Sequence, residues 1–146
     1  MTLGAAYDLA RALMDRYGLR DWQIEFRRWK KLGAACHRRE RKIQLSADVV
    51  RLNGREGVAE LVLHEIAHAF VPGLHNWAWV IFAQKIGCTG EPNAQSRVVW
   101  PEGKWMALCR RCGEMERRFR ESKRVAACPA CKGARALMRV EEGGRV

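Results

Sequence analysis

No apolar run in the 146-residue chain approaches the ~20 residues needed to cross a bilayer, so a membrane span is excluded. Proline is scarce, at four residues, which argues against a proline-rich linker or a low-complexity segment. Tyr7 and Tyr17 are the only tyrosines, and histidine is limited to four, so any imidazole chemistry must draw on few residues. The segment Met1–Asp8 lacks a basic region followed by an apolar one. We therefore expect no secretory signal and a cytoplasmic protein. In that compartment disulfides are rare, and the six cysteines read as metal ligands or buried thiols. Charge of one sign is in excess instead: 27 Lys and Arg against 16 Asp and Glu, a net of +11. That surplus points to a polyanionic partner and says nothing about the fold.

The length suits one compact unit with a small appendage. Thr2 is placed to cap an amphipathic helix over residues 2–18, with Leu3, Tyr7, Ala10, Met14 and Tyr17 at helical spacing and Gly18 as the stop. From Asp21 the period changes to two, with Trp22, Ile24 and Phe26 alternating with polar residues, as in a half-buried strand. Two short strands follow over Leu32–His37 and Arg41–Leu45, joined by a turn at Arg38–Glu40. A new element starts at Ser46, and Asn53-Gly54 breaks the chain. The clearest helix spans residues 56–71 and ends at Pro72-Gly73; another spans about Asn76 to Ile86, with Gly87 at its C-terminal end. After that the apolar residues thin out while four of the six cysteines appear, so the C-terminal part needs a staple in place of a core. We expect a domain over residues 1–100, a second over 101–140, and a flexible tail over 141–146.

Two constellations carry chemistry. His64-Glu65-Ile66-Ala67-His68 is an HExxH motif in the clearest helix. Histidines at i and i+4 project from one helical face and can reach one ion, while Glu65 lies beside it, placed to take a proton from a zinc-bound water. A catalytic zinc needs a third protein ligand and an open position. His75, across the Pro72-Gly73 turn, is the natural third ligand, and His37, between strand-forming residues and arginines, reads as a surface histidine. In this reading zinc lowers the pKa of its water toward ~7, Glu65 deprotonates it as it attacks a peptide carbonyl, and Glu65 returns the proton to the leaving amine. No oxyanion donor is evident; Arg97 is the only guess. A purely structural zinc on three histidines would leave Glu65 beside the metal without a purpose.

The second constellation is Cys109-x-x-Cys112 and Cys128-x-x-Cys131, with fifteen residues between the pairs. This is the spacing of a four-thiolate structural zinc site, each pair forming a knuckle and the intervening segment a hairpin. A single CxxC could be a redox pair; two pairs in a segment without a core favour zinc, giving two Zn²⁺ per chain. Cys36 and Cys88 read as buried, inert thiols.

The HExxH element, His75-x-x-x-Trp79, the segment Leu32-Gly33 through Arg41–Ser46, and the two CxxC pairs together resemble the SprT-like zinc metallopeptidase family (Spartan-related) with a C-terminal zinc ribbon. The resemblance covers about residues 5–135. It implies an α+β fold with a small zincin-type metallopeptidase core: an N-terminal helix, a short antiparallel sheet, the HExxH helix and a following helix. It also implies cleavage of DNA-bound or DNA-crosslinked proteins.

Charge is concentrated in residues 27–42, with eight basic residues and one acidic, and in residues 104–135, with ten and three. Trp29, Trp105 and Phe119 are interleaved with these charges, a mixture suited to single-stranded or distorted DNA bound without sequence specificity. Arg110, Arg111, Arg117, Arg118, Arg120, Lys123 and Arg124 are the candidate nucleic-acid contacts. Nothing marks a deep side-chain pocket, so selectivity would come from co-localisation of protease and substrate on DNA. The competing reading is a non-proteolytic nucleic-acid-binding adaptor whose HExxH site is structural or vestigial; a DNA-independent peptidase is a third.

Overall fold

The computed structural model describes residues 1–92, 94, 96–122 and 125–140. The chain divides into two compact units, Met1–Pro101 and Glu102–Val146. The tail expected over 141–146 lies outside the described residues. No helix among the described residues is long and apolar enough to cross a membrane.

The first unit opens with α1 (Leu3–Arg16), capped by Thr2, whose hydroxyl accepts from the Ala5 N–H at 3.2 Å. Ala6, Leu9, Ala10 and Met14 make its buried stripe. The helix stops at Gly18, whose φ of +79° is open to glycine at little cost. Gly18 N–H bonds the Asp15 carbonyl and Leu19 N–H bonds the Met14 carbonyl at 2.8 Å, a Schellman closure that tucks Leu19 into the core.

Three strands follow: β1 (Gln23–Arg27), β2 (Ala34–His37) and β3 (Lys42–Ser46). They form a sheet of order β1-β3-β2. β2 and β3 are an antiparallel hairpin pairing Ala34 with Leu45 and His37 with Lys42. β1 runs parallel to β3, with Gln23 opposite Lys42 and Arg27 opposite Ser46. The sheet is therefore mixed, not antiparallel as the sequence led us to expect. Alternation reports which face of a strand is buried but not which way its neighbour runs. β3 is central and carries the burial: Ile43, Gln44, Leu45 and Ser46 are all buried.

Ser46 ends β3 and caps α2 (Ala47–Leu52), accepting from Val49 N–H at 3.1 Å. α3 (Arg55–Phe70) then crosses the unit, with most of its length buried, as expected for a helix that is apolar around much of its circumference. α4 (Trp77–Lys85) follows, capped by Asn76, whose Oδ1 accepts from Trp79 N–H at 3.0 Å. The loop after α4 is fastened down by Asn53, which donates to the Val99 carbonyl at 2.7 Å and accepts from Val99 N–H at 2.7 Å.

The second unit is an antiparallel sheet of order β5-β4-β6, from β4 (Trp105–Cys109), β5 (Met115–Arg118) and β6 (Arg135–Arg139). The first cysteine pair sits at the β4–β5 turn and the second just before β6. Among the described residues the segment between the pairs forms no hairpin of its own: β5 pairs with β4, whose last residue is Cys109.

Leu45 is fully buried in the central strand. We expect Leu45→Ala to lower stability by about 2–5 kcal/mol in urea denaturation, through lost burial and a residual cavity. Leu52→Ala, at a residue 51% exposed, should stay within about 0.5 kcal/mol of the parent.

Candidate metal centres

α3 supplies His64, Glu65 and His68, and the six-residue step to His75 is turned at Gly73. The three imidazoles meet. His75 Nε2 lies 2.9 Å from His64 Nε2 and 3.0 Å from His68 Nε2, so all three nitrogens face one point. Trp79, one turn into α4 and fully buried, backs all three rings, with centroid distances of 4.7 Å to His64, 5.1 Å to His68 and 4.4 Å to His75. Such a wall leaves each ring few orientations.

Burial governs the electrostatics. It pushes His64 down to about 3, helped by His68 and His75, and it lowers His68 and His75 as well. Three neutral imidazoles offer three lone pairs to a borderline cation, and the donor set suits zinc. Burial also pushes the Glu65 carboxyl up to about 8, opposed by a hydrogen bond from the Cys36 backbone N–H. That bond comes from the strand hairpin. Ser46 N–H bonds the Gly33 carbonyl at 2.7 Å, so the alternation of an antiparallel pair turns the backbone groups of Ala34 and Cys36 away from β3. The Cys36 N–H thus faces α3. A cleft of about 340 Å³ opens here, bounded by Gly33, Ala34, His64, Glu65, Ala94 and Trp100.

The remaining candidates in this unit lie elsewhere. His37 is half-buried on the sheet, its Nε2 2.9 Å from Gln44 Oε1, and Gln44 in turn donates to Glu25 at 2.7 Å. It takes no part in the histidine cluster. Arg97 does not face the cluster either. Its guanidinium pairs with Glu60 at 3.6 Å, one helical turn before His64, and lines a separate cavity. The thiols of Cys36 and Cys88 are both pushed up to about 12, first by burial, which suits unreactive groups.

In the second unit the four cysteines also converge. Cys109 and Cys131 sulfurs are 3.5 Å apart, Cys112 and Cys128 sulfurs 3.6 Å, and one ligand atom from each lies within 4.8 Å of the others. Gly133 makes room: a Cβ there would stand 2.9 Å from Arg111 Cβ and 3.3 Å from Cys109 Sγ. The Cys112 backbone N–H, with that of Arg111, draws the Cys109 thiol down to about 6 against burial. Four thiols facing one point are a donor set for zinc, and would hold it as a closed site.

The basic candidates are spread through this unit. Arg110 and Arg111 are exposed on the first knuckle, and Arg120 is exposed beyond β5. Arg117 is engaged by Glu102 at 3.5 Å and by the Gly103 carbonyl at 3.2 Å, and Arg118 by Glu116 at 3.4 Å. Lys123 and Arg124 lie outside the described residues.

A mixed α+β unit in which three histidines converge, and a small sheet with a four-cysteine cluster, define a protein with two candidate metal-binding groups. The model of the SprT-like family matches residues 7–98, more than half of the chain, and the chain belongs to that family. No curated protein matches the sequence closely enough to count as a relative.

Sequence reasoning passed over Glu60. Its buried carboxylate accepts from Thr89 N–H at 2.9 Å, Thr89 Oγ1 at 2.5 Å and the Cys88 thiol at 3.1 Å, tying the loop after α4 to the helix that carries His64. Nothing local in the sequence signalled it, because its donors lie nearly thirty residues further on. Glu60→Ala strands those donors, and we expect a loss of about 2–4 kcal/mol in chemical denaturation.

Proposed function

We propose that the protein is a zinc-dependent endopeptidase that binds DNA and cleaves proteins bound or crosslinked to it. The observation that carries the reading is the convergence of the His64, His68 and His75 Nε2 atoms beside the buried Glu65 carboxylate. Family membership supports the metallopeptidase reading. In it the first unit is a small zincin-type core and the four-cysteine unit a zinc ribbon.

Zinc held by the three imidazoles would supply a Lewis acid and activate water at neutral pH. The chain's own residues do the rest. Glu65, held by the Cys36 N–H, takes the proton from the attacking water and hands it to the leaving amine. A carboxyl beside the metal ligands, held by one backbone N–H, is placed for both transfers. An extended substrate segment is positioned by the outward-facing backbone of Ala34 at the free edge of β2, with the cleft beside it taking side chains. A groove along a strand edge accepts the middle of a chain, which fits an endopeptidase. DNA binding is supported by the net charge of +11 and by Arg110, Arg111 and Arg120 exposed on the ribbon. Selectivity then rests on holding protease and substrate on the same strand.

Glu65→Gln should keep two zincs per chain and undiminished DNA affinity, while cutting turnover of a DNA-bound protein by about 10²–10⁴-fold. Full activity in that variant would sink the assigned role. His75→Ala should bring the metal count, read by elemental analysis, from two to one and abolish cleavage, because the cysteine cluster keeps its own ion. Cleavage that survives chelation of both zincs would contradict the reading altogether.

A further inference from the structure

The turn joining β2 to β3 carries three arginines, and none of them serves the histidine cluster. Arg38, Arg39 and Arg41, with Asp21, Trp22 and Ala69, line an open hollow of about 450 Å³. Resting on the DNA-binding reading above, we propose that this hollow is a second nucleic-acid contact, on the peptidase unit itself, gripping the phosphate backbone of a DNA strand.

Charge is the first support. The two carboxylates nearby are already engaged, Asp21 by Arg41 and Glu40 by Lys42 at 2.5 Å. Arg39 is exposed and has no ion pair among the described residues. Arg38 is held over the end of α3, its Nε donating to the Ala69 carbonyl at 3.0 Å. Guanidinium groups match phosphate oxygens in geometry and are more weakly hydrated than ammonium groups, so three of them on one turn favour a phosphodiester.

The backbone fixes how the third arginine is presented. Arg41 closes the turn with φ of +48°, in the left-handed region where a hairpin loop of this kind ordinarily places glycine or asparagine. An arginine kept in that conformation costs stability, and its guanidinium there pairs with Asp21 on the wall of the hollow. The partner is a nucleic acid and not a lipid surface. The only aromatic in the hollow, Trp22, is half-buried and packs against the core, so it is not available to insert into a bilayer.

Location gives the contact a use. Ala69 stands four residues beyond Glu65 on α3, about 6 Å of helix rise. A strand gripped at this turn passes close to the cleft, and a protein attached to that strand is presented there.

The test uses the full-length, zinc-loaded protein and a fluorescein-labelled oligo-dT, with affinity read by anisotropy across a salt series. For single strands each phosphate contact contributes about 0.7 to the slope of log affinity against log salt, or about fivefold in affinity at 0.1 M. Arg39→Gln with Arg41→Gly should therefore flatten the slope by about 1.4 and weaken binding about 25-fold. Arg39→Gln alone, at an exposed residue with no ion pair among the described residues, should bind about fivefold more weakly with an unchanged urea midpoint, a combination that a merely structural arginine would not produce. If the double variant binds as the parent does while Arg110→Gln with Arg120→Gln binds weakly, the hollow is no contact and the proposed function stands. If the parent ignores oligo-dT, or prefers phosphatidylserine vesicles, the DNA reading fails and this inference falls with it.

Discussion

Three imidazoles pointing at one spot is an unstable arrangement unless the surroundings enforce it. Their lone pairs compete, their rings exclude water from one another, and nothing in a bare cluster repays the desolvation. Here α3 enforces it by being almost wholly enclosed, with Val58, Val62 and Ile66 locked in the core and Trp79 closing the far side of the rings. Enclosure also keeps the rings neutral and raises the carboxyl next to them. Burial of one helix thus sets positions, protonation and access together, and the sheet, α1 and α4 can be read as the means of burying it.

β2 shows how a minor element becomes functional through placement. It is only four residues long, yet it lies at the edge of the sheet and runs alongside α3. Three contacts track the pair in step: Gly33 approaches Leu61, the Cys36 N–H reaches Glu65, and Arg38 reaches Ala69. One end of this seam borders the cleft, the middle holds the glutamate, and the far end anchors the arginine turn.

Much of this was legible in the sequence because it is local. The HExxH spacing, the CxxC pairs, the Thr2 cap and the Gly18 stop each depend on a few neighbouring residues; the cap and the stop lie where expected, and the His and Cys groups each converge. The strand order was not legible. Ile24 and Phe26 announce a buried face, but whether β1 pairs with β2 or with β3 is settled by how the whole unit closes over α3. The Glu60 network was hidden for a similar reason: its donors, Cys88 and Thr89, are nearly thirty residues away and acquire meaning only when the loop folds back. Arg97, the one guess for an oxyanion donor, pairs instead with that same glutamate.

The step from His68 to His75 differs in character from the helix before it. Gly73 has a φ of +102°, Leu74 is 84% exposed, and Trp77 just beyond is 77% exposed, so little packing restrains this stretch. Two of the three nitrogen donors are carried by a buried helix while the third stands on an exposed connection, its ring backed by Trp79. An ion clasped by all three would therefore be most open to solvent on the His75 side, where the chain around the ligand is least covered.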